Sequence, residues 1–283
     1  MKEYDEATLK KVQQTEMEIL RDFIKVCDEN NLTWFGDAGS GIGAIRHKGF
    51  IPWDDDIDVG LYREDYERFC KEAPMLLPKK FFLQNYASDP DFPAIYSKLR
   101  DSSTTSIEKS VAKLPINHGI SIDIFPLDGY PKKKHEQHIL EIKKRLFVKM
   151  LSIPCIRTEP WKELAVKPLR DIGFGKYTAR IAARYTSLIS AWPVRDSDII
   201  ANHGNWQGAL EYHRKEIYGC GSMGEFEGEN VRLPENSDLY LQQKYGNWHK
   251  EPPIEMQKSH HEYLIVDVDK PYTDFLNTKK IVD

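Results

Sequence analysis

Four carboxylates fall within five residues in the run Phe50-Ile51-Pro52-Trp53-Asp54-Asp55-Asp56-Ile57-Asp58-Val59. Carboxylates this close repel one another, and in a partly desolvated setting they are tolerated when a cation neutralises them, a divalent metal doing so best. Asp56 and Asp58 are two apart, so on a β-strand both face one way while Ile57 and Val59 face the other. A metal platform with an apolar back follows. A freely solvated acidic turn is a poorer reading, because Phe50, Ile51, Trp53, Ile57, Val59 and Leu61 are too apolar for one. An EF-hand is excluded by the missing central Gly and by the ligand spacing.

Two further features join this platform. Gly36-Asp37-Ala38-Gly39-Ser40-Gly41-Ile42-Gly43 resembles a strand-to-helix turn, whose backbone N–H groups and Ser40 hydroxyl suit a phosphate. Asp123, between Ile122 and Ile124, is a third acid on an alternating, β-branched segment, Ile120–Phe125. Carboxylates on adjacent strands can hold one or two Mg²⁺, with Mn²⁺ as an alternative, and so neutralise charge on a transferring phosphorus. Together the three features point to phosphoryl or nucleotidyl transfer.

The elements that must position them follow from periodicity. Apolar residues from Leu9 to Cys27 recur at helical spacing over Glu6–Asn30, and Asn30-Asn31 closes that helix. A short strand at Leu32–Phe35 enters the Gly-rich turn, with helix expected over Ala44–His47. A helix is predicted over Arg63–Ala73, stopped at Pro74. Paired strands are predicted at Phe81–Tyr86 and Ala94–Leu99. Asp128 is expected to cap the turn it forms with Gly129. Past Pro131 the pattern is helical, most clearly at His135–Leu151 and Lys176–Ala191. The expected fold is α+β, a nucleotidyltransferase-like mixed sheet flanked by helices. The 283 residues read as one domain: a catalytic core over 1–130, a helical insertion over 131–215 that offers an acceptor or membrane face, and a segment over 216–283 packing back on the core.

Composition narrows the function. Net charge is −4 and the pI is near 6.2, which gives no global case for a nucleic-acid partner. Residues 131 to 189 are the exception, with 14 Lys and Arg against 5 Asp and Glu. The segment is a candidate for contact with anionic lipid, a solvated helical face being the plainer reading. Cys27, Cys70, Cys155 and Cys220 are too scattered for a disulfide framework or a Cys-x-x-Cys zinc site. With no apolar signal and no long apolar run, the expectation is a cytoplasmic chain, peripheral at most to the inner face of the membrane.

The stretch Gly39 to His47, followed by Gly49 to Val59 and by Ile122-Asp123-Ile124-Phe125-Pro126-Leu127-Asp128, resembles the signature of the LicD family of phosphotransferases, relatives of fukutin-type proteins within the nucleotidyltransferase superfamily. Phe226-Glu227-Gly228, Tyr245-Gly246, Pro252-Pro253 and His260-His261 are similar to the family's C-terminal stretch. The resemblance covers residues 10 to 130 and 218 to 262. Gly39-Ser40-Gly41-Ile42-Gly43 departs from the family's usual Gly-Thr-Leu-Leu-Gly; Ser40 keeps the hydroxyl, and the extra Gly loosens the turn. The middle, 135 to 215, matches no motif and is where acceptor choice is expected to lie.

The resemblance implies transfer of a phospho-alcohol, typically phosphocholine from CDP-choline, to a hydroxyl of a cell-surface glycan (teichoic acid or lipopolysaccharide) or its lipid-linked precursor. It implies Mg²⁺ on Asp56 and Asp58, with Asp123 completing the metal site and helping to deprotonate the acceptor. Gly39 and Ser40 would hold a phosphate oxygen, and Arg46, Lys98 and Arg100 would balance diphosphate charge. Asp54 and Asp55 are read as holding the loop or as solvated, with direct metal ligation by either as the lesser alternative. His47, His260 and His261 are candidates for proton transfer or phosphate contact. A choline headgroup needs an aromatic cage, for which Trp34, Trp53, Trp206, Tyr245, Trp248 and Tyr263 are available. A nucleotidyltransferase moving the nucleoside phosphate, or a non-catalytic glycan- or nucleotide-binding module, are the alternatives.

Overall fold

The computed structural model describes residues 5–156, 160–205, 207–259 and 261–276. In chain order the elements begin with α1 (Glu6–Glu29), β1 (Trp34–Gly36), α2 (Ala38–Ile42), β2 (Asp58–Tyr62), α3 (Arg63–Leu76), β3 (Phe81–Gln84), β4 (Ser97–Asp101), β5 (Thr105–Glu108) and β6 (Ile120–Gly129). They continue with α4 (Lys134–Leu151), α5 (Pro160–Asp171), α6 (Thr178–Ile189), β7 (Ile199–Asn202), β8 (Tyr212–Arg214), α7 (Lys215–Tyr218), β9 (Ser222–Phe226), β10 (Glu229–Leu233), α8 (Ser237–Tyr245) and β11 (Tyr263–Asp267). The fold class is mixed α+β.

One mixed sheet runs in the order β1-β2-β6-β4-β3, and β7 and β8 extend it from the far half of β6. β2 and β6 are the parallel pair, and β4 and β7 both lie antiparallel to β6. β6 is ten residues long because it serves two partners on one edge, β4 against Ile120–Ile124 and β7 against Leu127–Gly129. Pro126, which lacks a donor, sits at the handover between them, where that edge has no partner to receive one. Ile57, Val59, Leu61, Leu99, Ile122 and Ile124 turn to one face and pack with Phe23 of α1 and Phe69 of α3 in the main core. Phe23 meets Trp34 edge-on at 5.4 Å.

Several boundaries differ from the sequence reading. Helix α3 continues through Pro74 to Leu76, since a proline this near the C-terminal end forfeits one bond of the final turn. The second of the paired strands is shifted to Ser97–Asp101, and the Gly-rich turn holds the short helix α2 followed by a π-type turn over Gly43–His47. Asp58 begins β2, so Asp56 lies in the extended lead-in. Asp128 is buried within β6 and takes a bidentate contact from Arg63, at 2.7 and 2.8 Å, instead of capping a turn. Helix α1 ends as expected at Asn30, with Asn31 left-handed at φ 52°.

Tyr130, Leu140, Leu151, Ile181, Tyr185 and Ile189 form a further apolar cluster, shared with Ile95 before β4 and joined to the sheet through Ala201. The β9–β10 hairpin turns at Glu227 and Gly228, both with positive φ, and packs Phe226 into the main core against Phe50.

Candidate active site

Register places the acids. Asp58 on β2 and Asp123 on β6 are cross-strand partners, with the Asp123 N–H donating to the Ile57 carbonyl at 2.8 Å. Lys98 on β4 is the partner of Asp123 on its other side, so an acid, an acid and a cation lie abreast on one face while their apolar neighbours fill the other. The Lys98 ammonium is 2.7 Å from Asp123 Oδ1 and 3.7 Å from Glu108. Asp56 joins them from the lead-in: its carboxyl feels both Asp55 and Asp123. The lead-in is itself fixed, the Asp54 N–H donating to the Ile51 carbonyl and Gln13 Nε2 donating to the Asp54 carbonyl.

The Ser40 turn is stitched to the same strand. The Asp58 N–H donates to Ser40 Oγ at 2.9 Å, and the Asp37 N–H donates to the Asp58 carbonyl at 2.9 Å. Asp37 caps α2 through Ala38 N–H and anchors a buried network: Lys244 at 3.1 Å, the Tyr240 hydroxyl, and Asn202 Nδ2 at 3.0 Å. Lys244 also pairs with Glu211 at 3.0 Å. A Cβ on Gly39 would lie 2.6 Å from Asp54 Oδ2, so a side chain there would displace the Asp54 carboxylate from the turn.

The acids are electrostatically crowded. Burial, then Asp56 and Asp123, pushes the Asp58 carboxyl well up from its ordinary range. Burial and Asp56 do the same to Asp54, which shares a hydrogen bond with Asp56, and Asp56 itself is raised chiefly by burial. Glu16 of α1 points into this group, its pKa raised by burial and by four of the aspartates, with Oε2 buried and unpartnered. Asp54, Asp55 and Asp56 each offer an oxygen within 4.8 Å of the others. A cavity of about 10 Å³, the size of one water, lies among Glu16, Asp56, Lys98, Asp123 and His261. The orphaned Glu16 oxygen and the carboxylate oxygens of Asp54, Asp55 and Asp56 are donors that fit a hard divalent cation such as Mg²⁺ or Mn²⁺.

Asp55 has a separate task. It is buried and accepts from Ser259 Oγ at 2.6 Å and from His261 Nδ1 at 3.2 Å, which ties the C-terminal segment to the acidic loop. Burial opposes charge on His261, yet the Asp55 hydrogen bond and the carboxylates of Asp56 and Glu108 push its pKa up to about 10.

The structure gathers Asp56, Asp58, Asp123, Ser40, Gly39 and Lys98, and it sets Tyr245, partly exposed, within electrostatic reach of Asp58. Other expected residues lie elsewhere. Arg46 donates to the Trp248 carbonyl at 2.7 Å and to His47 at 2.8 Å, holding the C-terminal segment instead of facing the acids. Arg100 is buried, its guanidinium committed to Gln84 and the Gly119 carbonyl, so it braces the sheet and is not free for a phosphate. Trp34 and Trp248 are core residues, Trp248 donating to Asp238, and Trp53 is half-buried against the apolar cluster that holds Phe35, Ile42, Ile51 and Tyr240. No cage forms from these side chains. His260 and Trp206 lie outside the described residues. Sequence reasoning passed over Glu16, which reads as an ordinary helix acid, and the Asp37–Lys244 pair, whose members are 207 residues apart.

A mixed sheet with paired acids on adjacent strands beside a Gly-Ser turn defines an enzyme of the phosphotransferase class. The model of the LicD/FKTN/FKRP nucleotidyltransferase domain matches residues 31–181, and the chain belongs to that family. It is 29% identical to the lipopolysaccharide cholinephosphotransferase LicD of Haemophilus influenzae over 266 residues, covering 90% of this chain and 96% of that protein. It is 32% identical to the human and mouse ribitol 5-phosphate transferase FKRP over 80 residues, which is 26% of this chain and 16% of those proteins. No helix among the described residues is long and apolar enough to cross a membrane.

Proposed function

We propose that this protein transfers a phospho-alcohol, phosphocholine first among candidates, from a CDP-activated donor to a hydroxyl of a cell-surface glycan or its lipid-linked precursor, with Mg²⁺ as cofactor. The cross-strand register of Asp58 and Asp123, with the Asp54–Asp56 carboxylates leading into the same strand beside the Ser40 turn, supports this reading. The activities for which the relatives are named, cholinephosphate and ribitol 5-phosphate transfer, support the transferred group.

Asp56, Asp58 and Asp123 would hold the cation, with Asp54 and Glu16 behind them. When bound, the metal neutralises charge on the diphosphate and acidifies the attacking hydroxyl. Ser40 accepts from the Asp58 N–H and keeps its own proton to donate to a phosphate oxygen. Asp123 receives the acceptor's proton; Lys98 holds that carboxylate in place and counters donor charge. The acceptor oxygen bonds to the phosphorus bearing the alcohol, that phosphorus loses its bridging oxygen, and CMP departs with the bond's electrons.

Thermal-shift screening of CDP-choline, CDP-ethanolamine, CDP-ribitol and CDP-glycerol with Mg²⁺ finds the donor. Mass spectrometry of the acceptor then decides the reaction: added phospho-alcohol upholds the reading, and added nucleoside monophosphate replaces it with nucleotidyl transfer.

The proposal extends to a cytoplasmic site at the membrane face. Ile139, Ile142 and Leu146 stand exposed on one side of α4, and Trp161 and Leu164 are exposed on α5, within the segment of excess positive charge. Basic helices with an uncovered apolar stripe lie well on anionic lipid. Co-sedimentation with anionic but not zwitterionic vesicles, lost in Ile142→Asp/Leu146→Asp, is expected; equal recovery with both vesicle types overturns it.

A further inference from the structure

Beyond the acids, a cavity of about 610 Å³ opens between β7, β8, α4, α6 and the segment Pro93–Tyr96, within the size range of small-ligand sites. Its aromatic wall is Tyr130 and Tyr212, whose rings lie 4.6 Å apart at 36°. Glu141 accepts from both of their hydroxyls, and Lys144 donates to Tyr212 Oη at 2.8 Å. Two polar side chains of the lining are left unsatisfied. His203 is 2% exposed with neither ring nitrogen partnered, and the Tyr185 hydroxyl is buried and unpartnered. Buried polar groups without partners are rare, and here they mark the place of a missing hydrogen-bonding ligand.

The cavity adjoins the acids. Tyr96 forms part of its wall, stacks on Phe125 at 4.7 Å, and lies with its ring 5.8 Å from the Lys98 ammonium. Phe125 is two residues beyond Asp123 on the same face of β6. Tyr96 itself feels the charges of Asp123 and Asp58. Tyr96 thus separates the cavity from the acids by a single ring.

The chemistry of the lining selects among ligands. A quaternary ammonium is disfavoured, because Lys144 already sits 5.0 Å from the Tyr212 ring centre and Arg145 adds a second cation. A phosphate is opposed by Glu141, and a purely apolar ligand leaves His203 and Tyr185 unsatisfied. A neutral ring with an apolar face and a rim of hydroxyls meets all three conditions, stacking on tyrosine while its hydroxyls pair with an acid, an ammonium and an imidazole.

The geometry points to this cavity as the acceptor subsite, receiving a sugar ring of the acceptor on the far side of Tyr96 from the acids. The assignment rests on the transferase reading above and deepens it. His203, Glu141, Tyr130 and Tyr212 then set acceptor specificity; Tyr130 is the last residue of the first stretch that carries the resemblance, and the other three lie outside both stretches.

Saturation-transfer NMR on the full chain tests it, with methyl glycosides of common hexoses and N-acetylhexosamines as probes and choline chloride as a control. Expected is saturation of at least one glycoside, strongest on one ring face, with choline silent. Ala209→Trp, at an exposed position of the cavity rim where folding is undisturbed, abolishes the signal, and His203→Ala weakens binding about tenfold, as loss of one buried hydrogen bond implies. No glycoside binding, or binding undiminished in Ala209→Trp, overturns the assignment. So does choline binding that Ala209→Trp abolishes, which gives the cavity to the donor alcohol. The transferase reading fails by a different result, absence of phospho-alcohol transfer by the unaltered chain with CDP-alcohols and Mg²⁺, whatever the glycosides do.

Discussion

Asp58→Asn should stabilise the metal-free protein while abolishing transfer. Asp58 and Asp123 are parallel register partners, and adjacent strands lie about 4.8 Å apart. At that spacing two charges repel by roughly 3 kcal/mol at an effective dielectric of 20. The alternative open to Asp58 is to keep its proton. A group that ionises at 3.8 when unfolded and stays protonated in the fold costs about 4 kcal/mol at pH 7. The protein takes the cheaper route, so Asn, equal in shape and uncharged, should recover about 2–4 kcal/mol. For a chain of this length that is a rise of roughly 4–8 °C in melting temperature. The sign in pH is fixed by the raised carboxyl. Between 3.8 and the elevated folded value the native state binds more protons than the unfolded chain, so wild-type stability falls as pH rises through that window. The advantage of Asn is therefore near zero at pH 4 and grows toward neutrality. Differential scanning fluorimetry in EDTA at pH 4 and pH 7 reads this directly. Adding Mg²⁺ should then raise the wild-type midpoint, by about 2.7 kcal/mol of stability at a hundred times its dissociation constant, and leave the variant unmoved. A variant less stable than wild type at pH 7, equally stabilised at pH 4, or still responsive to Mg²⁺ refutes the crowded-acid reasoning.

Lys244→Met leaves Asp37 and Glu211 buried without their shared cation; a loss of about 3–5 kcal/mol is expected in urea unfolding, and retention of full stability would show the network to be dispensable. Lys98→Met frees Asp123 from its ammonium, so transfer should fall at least about tenfold while metal-free stability changes in the opposite sense to an uncrowding substitution, readable in the same melting assay. Gly43→Ala brings a methyl group to 2.4 Å from the Gly49 carbonyl oxygen and 2.9 Å from the Phe226 ring; destabilisation of about 1–3 kcal/mol is expected, measured by chemical denaturation.

Much of the cleft is local enough to be read from the chain. The two-residue spacing of Asp56 and Asp58, the apolar alternation around Asp123 and the helical period of α1 each encode which way a side chain faces, because a strand or helix fixes that within a few residues. Register between strands has no such local code. Only the assembled sheet makes Asp123 the neighbour of Asp58 on one side and of Lys98 on the other, and only there does Arg100, two residues from Lys98, become a buried brace instead of a phosphate ligand. Glu16 gains its place among the acids from how α1 lies on the sheet, Asp37 finds its cation on α8, and Tyr130, Glu141, His203 and Tyr212 meet because β7 and β8 return to the end of β6 after a helical excursion. Periodicity determines which face of an element is apolar, whereas long-range packing alone decides which polar side chains end up sharing one pocket.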